Sequence, residues 1–275
     1  MGASLGGALK NAGGWRVTGT DINARRMAIA RDGGFIDRQA DSFAEAVEDA
    51  DVIVLATPIG VILEYLDALK AFKSKTATVI DLGSTKRSIV GSMLELPEGM
   101  DSIGGHPMAG KVTSNTEDSD ISLYCGKKFI LVEHERTGAL AREQATRVLK
   151  DIGAVPVQME AEAHDRAIAM VSHLPHFMAV PLLMASDSLH DTNLWSLAAG
   201  GYRKAASASA DNPTMWKDIA VDNFDNIAEA MKIYSAHMQE FARLLESADR
   251  QKIADVLDRA EQVYSKFSDA QHKAN

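Results

Sequence analysis

The chain has 275 residues, 46% hydrophobic and 24% charged, an ordinary globular composition with room for two modest domains. Its net charge of -9 argues against nucleic-acid binding through a basic surface. The single cysteine, Cys125, excludes an intrachain disulfide framework, fits a reducing cytoplasm and leaves no expectation of a metal site. No stretch reads as the roughly 18 apolar residues of a membrane span. The N-terminus lacks a basic region followed by an apolar core, so no signal peptide is expected.

The first half alternates strand-like and helix-like segments. "RVTGTDI" (16–22) reads as a strand ending in an acid. "DVIVLATP" (51–58) and "TATVIDLGS" (76–84) read as strands apolar on both faces, "DSIGGHP" (101–107) as a shorter one and "KKFILVE" (127–133) as another. Amphipathic stretches at 24–34, 42–50 and 61–73 lie between them. Continuous apolar strands alternating with helices predict a doubly wound, mostly parallel sheet covered on both faces, a Rossmann-type α/β domain. After residue 165 helix-like stretches dominate, at 166–189, 212–247 and 248–270. The first is apolar nearly all round, which predicts burial, with kinks at Pro175 and Pro181. The division therefore falls near residue 160, giving a dinucleotide-binding domain over 1–159 and an all-α substrate and dimerisation domain over 160–275. Three long helices in so small a domain predict a homodimer, with residues from about 190 to 270 in its interface.

The opening "MGASLGGALKNAG" resembles the second half of the dinucleotide fingerprint G-x-G-x-x-G, with Gly2 as the third glycine. Asp21 then lies at the interval of the carboxylate that accepts the ribose hydroxyls and repels a 2′-phosphate, which favours NAD. Arg25 and Arg26 weaken that preference, and Asp21 could instead cap the helix beginning near Ala24. The first strand and first two glycines of such a fingerprint are absent. A doubly wound sheet lacking its first strand would leave two strands without partners. The native chain is therefore expected to begin upstream of Met1, and a chain this short to bind its cofactor poorly. Thr57 and Pro58 end one strand, Ser84 and Thr85 the next. There, backbone and hydroxyl groups can meet a nicotinamide ribose, although simple strand-end turns look the same.

"GGHPMAG" (104–110) by itself is compatible with an ordinary turn. It is also what a histidine held on a close, stiff backbone would look like. "DLGSTK" (81–86), "GGHPMAG", "VSHLPH" (171–176), "GGYRK" (200–204) and "NPTMWKDI" (212–219), in this order, resemble the prephenate/arogenate dehydrogenase family of tyrosine biosynthesis. The resemblance implies a Rossmann domain followed by a dimerising helical domain, and a cytoplasmic NAD-dependent enzyme. The implied reaction removes hydride from C4 of prephenate or arogenate, with loss of the ring carboxylate as carbon dioxide. His106 is then the acceptor of the 4-hydroxyl proton, and Ser84 hydrogen-bonds that hydroxyl and the histidine. Gly104, Gly105 and Pro107 fit the need for a close, stiff backbone, and Gly105 lines the substrate. Ser172 and His176, at i and i+4, match residues that project into the pocket.

Two positions depart from the family pattern. Ser207 stands where the family arginine holds a substrate carboxylate, and Lys111, Val112 and Thr113 replace a Thr-Glu-Lys run. Lys111, five residues past His106, is the expected substitute cation, with Arg203 and Lys204 read as surface charges. The departures keep open a relative that oxidises a different hydroxy acid, or a catalytically impaired nucleotide-binding homologue. Retention of His106, Ser84 and His176 argues against the last. The sequence does not separate prephenate from arogenate, nor report feedback inhibition by tyrosine.

Overall fold

The computed structural model describes residues 1–109, 116–210 and 212–274. The chain starts with helix α1 (Gly2–Ala12), followed by β1 (Thr18–Gly19), α2 (Ala24–Asp32), β2 (Arg38–Gln39) and α3 (Phe43–Glu48). Next come β3 (Val52–Leu55), α4 (Ile59–Leu69), β4 (Ala77–Asp81), α5 (Arg87–Met93) and β5 (Met100–Pro107). Then β6 (Lys128–Val132), α6 (Ala139–Asp151) and β7 (Val155–Gln158) complete the strands. The five strands β3-β4-β5-β6-β7 hydrogen-bond in that order, parallel throughout except for the antiparallel pair β5 and β6. This is the Rossmann-type sheet that the apolar runs predict. Every residue of β4 is buried, as a central strand with helices on both faces requires.

The first two strands stand apart from the other five. β1 pairs only with β2, in parallel, and the edge of β3 away from β4 has no strand partner among the described residues. Only Thr18 and Gly19 of the predicted strand 16–22 are extended and paired. A lone two-stranded ribbon has few ladder bonds to hold it.

The main core lies between the sheet and helices α1 and α6, where Leu5, Leu9, Ile80, Ile103, Phe129, Leu131, Val148 and Leu149 pack together. Helices α5 and α6 carry this apolar spacing but are not among the segments expected from sequence. The α6 N-terminus is held by Asp101, whose Oδ1 accepts from Gly138 N at 2.8 Å and Oδ2 from Ala141 N at 2.8 Å.

A long helical run follows, made of α7 (Ala161–Ile168), a π-helical turn at Ala169–His173, α8 (Leu174–Phe177) and α9 (Ala179–Asp187). Pro175 and Pro181 do not end it. It departs from α geometry in the π turn before Pro175 and at Met178 before Pro181. By length and composition Ala161–Asp187 could cross a membrane, contrary to the expectation from sequence, and only 33% of its most apolar stretch is buried in the single chain. The burial expected of it is therefore incomplete: Val171, Val180 and Met184 are exposed. The run continues through α10 (Thr192–Leu197), α11 (Gly200–Ala206), a 3-10 turn at Ser207–Ala210 and α12 (Pro213–Asp222). Asn212 caps α12, its side chain accepting from Thr214 N at 3.1 Å. The single helix expected over 212–247 is broken at Asn223, which separates α12 from α13 (Phe224–Glu246). Residues Met1–Phe224 form one compact unit, and Asp225–Asn275, containing most of α13 and all of α14 (Arg250–Ala274), form another.

Candidate active site

The site is assembled around the end of β5. His106 sits opposite Ile130 in the antiparallel ladder with β6. Gly105 precedes it because no side chain fits there: a Cβ would overlap the Asp81 carbonyl oxygen and lie 2.9 Å from the Phe129 ring. The Gly105 amide donates to Asp81 Oδ1 at 2.9 Å, and the Gly83 amide to Asp81 Oδ2 at 2.7 Å. Lys86 Nζ also donates to Asp81, and both side chains are fully buried. Burial lowers the Lys86 pKa, with the Asp81 charge opposing it. This buried pair ties the end of β4 to the histidine loop. Of the motif "DLGSTK", these two residues carry the architecture, and reading from sequence assigned them nothing.

Beyond His106 lies a chain of buried polar groups. His106 Nδ1 is 2.9 Å from His164 Nε2, and His164 Nδ1 is 2.7 Å from Asp165 Oδ1. His164 and Asp165 are both fully buried on α7. Asp165 closes the start of α5, a helix with no cap of its own. Its Oδ1 accepts from Lys86 N at 2.7 Å and its Oδ2 from Arg87 N at 2.9 Å. Burial opposes ionisation of Asp165. The hydrogen bonds from His164, Arg87 and Lys86 outweigh it and hold the pKa below the usual carboxylate value. His106 is half-buried in the single chain, and its pKa lies well below the usual histidine value. Burial is the main cause, reinforced by Lys86, His164 and His173. His106 is therefore neutral at pH 7 and able to take up a proton.

The π turn adds a third buried histidine. His173 is buried beside Asn223, whose Nδ2 lies 3.3 Å from His173 Nδ1 and donates to the Asp165 carbonyl at 2.9 Å. Burial lowers the His173 pKa to about 4, and its Nε2 has no protein hydrogen-bond partner. His176 is buried on α8 and stacks on Trp216 of α12, with ring centroids 3.5 Å apart and planes at 10°. Ser172 is only half-buried. The burial face of this run thus carries His173 and His176 rather than the expected pair at 172 and 176. The inserted π residue shifts the helical phase, which a 3.6-residue pattern read from sequence does not register. Among the described residues Ser84 makes no hydrogen bond to His106. His106 Nδ1 is taken by His164 instead.

The expected cofactor residues follow the carboxyl ends of their strands, where a doubly wound fold binds its ligands. Asp21 comes two residues after β1, Thr57 and Pro58 follow β3, and Ser84 and Thr85 follow β4. Gly2 opens α1 against the end of β3, where a Cβ would lie 3.1 Å from the Ala56 Cβ. The α1 N-terminus, which has no side-chain cap, therefore lies beside this edge. Thr57 and Thr85 each present a buried hydroxyl oxygen with no protein partner, which suits a polar cofactor group. Asp21 is exposed. Its Oδ1 accepts from Asn23 N at 2.8 Å, and Asn23, not Asp21, caps α2 through Arg25 N and Arg26 N. Arg25 pairs with Glu117 at 3.1 Å. Lys111 lies outside the described residues, as do Val112 and Thr113. Ser207 is exposed, its hydroxyl donating to the Lys204 carbonyl at 3.1 Å, and its 3-10 turn packs on α8. Among the described residues no group of three His, Cys, Asp or Glu side chains is arranged to hold a metal ion.

A mostly parallel sheet with a helix N-terminus at its carboxyl edge, and a half-buried neutral histidine at the end of β5, defines a nucleotide-binding α/β protein. Family models described as "Prephenate dehydrogenase, nucleotide-binding domain" and "Prephenate dehydrogenase, dimerization domain" match residues 5–158 and 160–259. The chain belongs to the prephenate dehydrogenase family. It is 32% identical over 260 residues to a prephenate dehydrogenase of Bacillus subtilis, covering 92% of this chain and 70% of that protein. It superimposes on the Aquifex aeolicus prephenate dehydrogenase solved with hydroxyphenyl propionate and NAD+ with a TM-score of 0.89, at 28% identity. That match covers 96% of this chain and 94% of the other. The Synechocystis arogenate dehydrogenase matches with a TM-score of 0.80 at 25% identity, over 96% and 95% of the two chains.

Proposed function

We propose that this protein is an NAD-dependent dehydrogenase that oxidatively decarboxylates prephenate or arogenate, with His106 accepting the proton of the ring hydroxyl. The observation that carries the proposal is the neutral His106, fixed at the end of β5 by Gly105 and the buried Asp81. Gly2, Asp21, Thr57, Pro58, Ser84 and Thr85 would hold the dinucleotide, which when bound supplies the acceptor for the hydride leaving C4. Loss of carbon dioxide from C1 returns an electron pair to the ring, and aromatisation drives the step. As the hydride departs, the hydroxyl proton moves to His106, and it ends on the phenol oxygen of the product. Ser84 lies at the hydroxyl, and Ser172 and His176 line the substrate together with Gly105. Trp216, stacked on His176, holds that ring in place.

The reading assigns Lys111 to a substrate carboxylate in place of the arginine replaced by Ser207. It takes residues 1–159 as the cofactor domain and 160–275 as the substrate and dimerisation domain. A homodimer is supported by the exposed Val171, Val180, Met184 and Leu189 and, farther along, Val263, Tyr264 and Phe267. A cytoplasmic location goes with this role, supported by the free Cys125. The buried His164, Asp165 and His173 favour a packed helix over a membrane span for 161–187.

The test is reduction of NAD by the purified protein with prephenate, arogenate or 4-amino-4-deoxyprephenate, followed by absorbance. Turnover with either of the first two is the expected result. Turnover with the third alone would point to a relative acting on another acid, and none with any of them would overturn the proposal.

A further inference from the structure

The buried pair His164 and Asp165 does more than fill space behind His106. Hydrogen-bond bookkeeping along the chain decides where the protons sit. An ionised carboxylate only accepts. Asp165 already accepts from the amides of Lys86 and Arg87, and the Arg87 guanidinium lies 3.4 Å from its Oδ2. His164 Nδ1, 2.7 Å away, must then carry a proton and donate it. A His164 ring with that single proton has Nε2 as a bare acceptor. His106 Nδ1, 2.9 Å from it, must in turn be the donor. The remaining His106 nitrogen, Nε2, is left with a free lone pair.

From this geometry we infer that His164 and Asp165 are positioning residues that hold His106 in its Nδ1–H tautomer, so that Nε2 is the atom that takes the substrate proton. The inference rests on the proposed role of His106. No net proton passes down the chain. The proton taken at Nε2 returns to the product oxygen, while the His106 Nδ1–H bond to His164 stabilises the imidazolium during the step. This is the logic by which a buried acid orients a catalytic histidine in hydrolase triads, here carried through an intervening imidazole. Other charged or titratable groups face the chain from several elements. They are Lys86 with Asp81, Arg87 with Glu162, His173 on the π turn, and Asp222, which accepts a hydrogen bond from Ser88 at 2.8 Å. Among the described residues His106 Nδ1 pairs with His164 Nε2 rather than with any of these.

The test is nitrogen-15 NMR of the histidine-labelled protein, with the His106 signals assigned by their loss in His106→Asn. The ring nitrogen shifts report the tautomer directly. The wild-type protein is expected to show His106 as the Nδ1–H form. In His164→Phe it should move to the Nε2–H form that free imidazole side chains favour, and kcat should fall roughly tenfold to 100-fold, within the range of general-base help. NAD affinity should stay nearly unchanged. His164→Gln keeps an acceptor for Nδ1–H and should recover part of the activity, which loss of packing alone would not allow. A wild-type His106 in the Nε2–H form, or doubly protonated His164, overturns the inference without any variant being needed. His164→Phe with wild-type turnover and an unmoved tautomer overturns it too, while His106→Asn remaining inactive would leave the role of His106 standing. If His106→Asn turns over normally, the underlying reading falls instead.

Discussion

His106 and Asp21 lie at two ends of the proposed site and are held in opposite ways. His106 is backed by a buried chain of side chains and by a carboxylate, Asp81, that clamps two amides and a lysine. Asp21 is exposed, and its carboxylate accepts from the amide of a neighbour two residues away. The strand that ends two residues before it belongs to a two-stranded ribbon, while His106 sits in the five-stranded sheet. Proton transfer needs an atom fixed to a fraction of an ångström, and buried, mutually satisfied groups provide that. A ribose can be met by a carboxylate on a looser support. Substitutions at the histidine end should therefore cost stability and chemistry together, whereas those at the cofactor end should shift preference and leave the fold alone.

The largest effect is expected at the buried pair. Asp81→Ala leaves Lys86 buried without its partner and frees two amides, which should cost about 3–5 kcal/mol of stability. Denaturant melts would measure it, and a loss below about 1 kcal/mol would mean that the clamp is not what fixes the loop. Next comes His106→Asn, expected to lower kcat by ~100-fold or more while NAD binding stays nearly intact. Because the His106 pKa is lowered, the wild-type base remains neutral through mildly acidic pH. The acid limb of kcat/KM should then fall below the ordinary histidine value of about 6.5, with activity lost only as pH drops through that lower value. A limb above pH 6.5 would contradict the burial argument.

Lys111→Ala should raise KM by about tenfold with a smaller change in kcat, since a carboxylate contact exists in ground and transition states alike. Ser207→Arg should restore part of that loss, and an unchanged KM in Lys111→Ala would remove Lys111 from the site. The smallest effect belongs to the loose end. Asp21→Ser should narrow the preference for NAD over NADP by several-fold without changing the melting point, because Asp21 packs on nothing buried. Equal use of both cofactors by the wild type would erase this half of the comparison. Sedimentation at micromolar concentration gives an independent check on the exposed apolar helices, with a dimer expected.

Much of the fold was legible because apolar strands and amphipathic helices write their period into the sequence. The runs at 51–58, 76–84, 101–107 and 127–133 each contain, to within a residue at 101–107, an observed strand of the main sheet, since a strand buried on both faces has few options but Val, Ile and Leu. The two-residue strands Thr18–Gly19 and Arg38–Gln39 carry too short a pattern to be delimited that way. His106 was legible as a candidate because a glycine pair precedes it, and at Gly105 the backbone leaves no room for a side chain. Its partners were not. His164 and Asp165 lie 58 and 59 positions further on, and a histidine on an apolar helix reads equally well as core. The π turn moved the buried face onto His173, and a single inserted residue leaves no mark in composition or periodicity. Sequence by itself thus determined the long apolar strands of the sheet and the histidine that follows its glycine pair, because those follow from local sterics and burial. Only the tertiary structure decided which acid stands behind that histidine, because a hydrogen bond between residues far apart in the chain depends on how helices α5 and α7 pack, and no local rule encodes that.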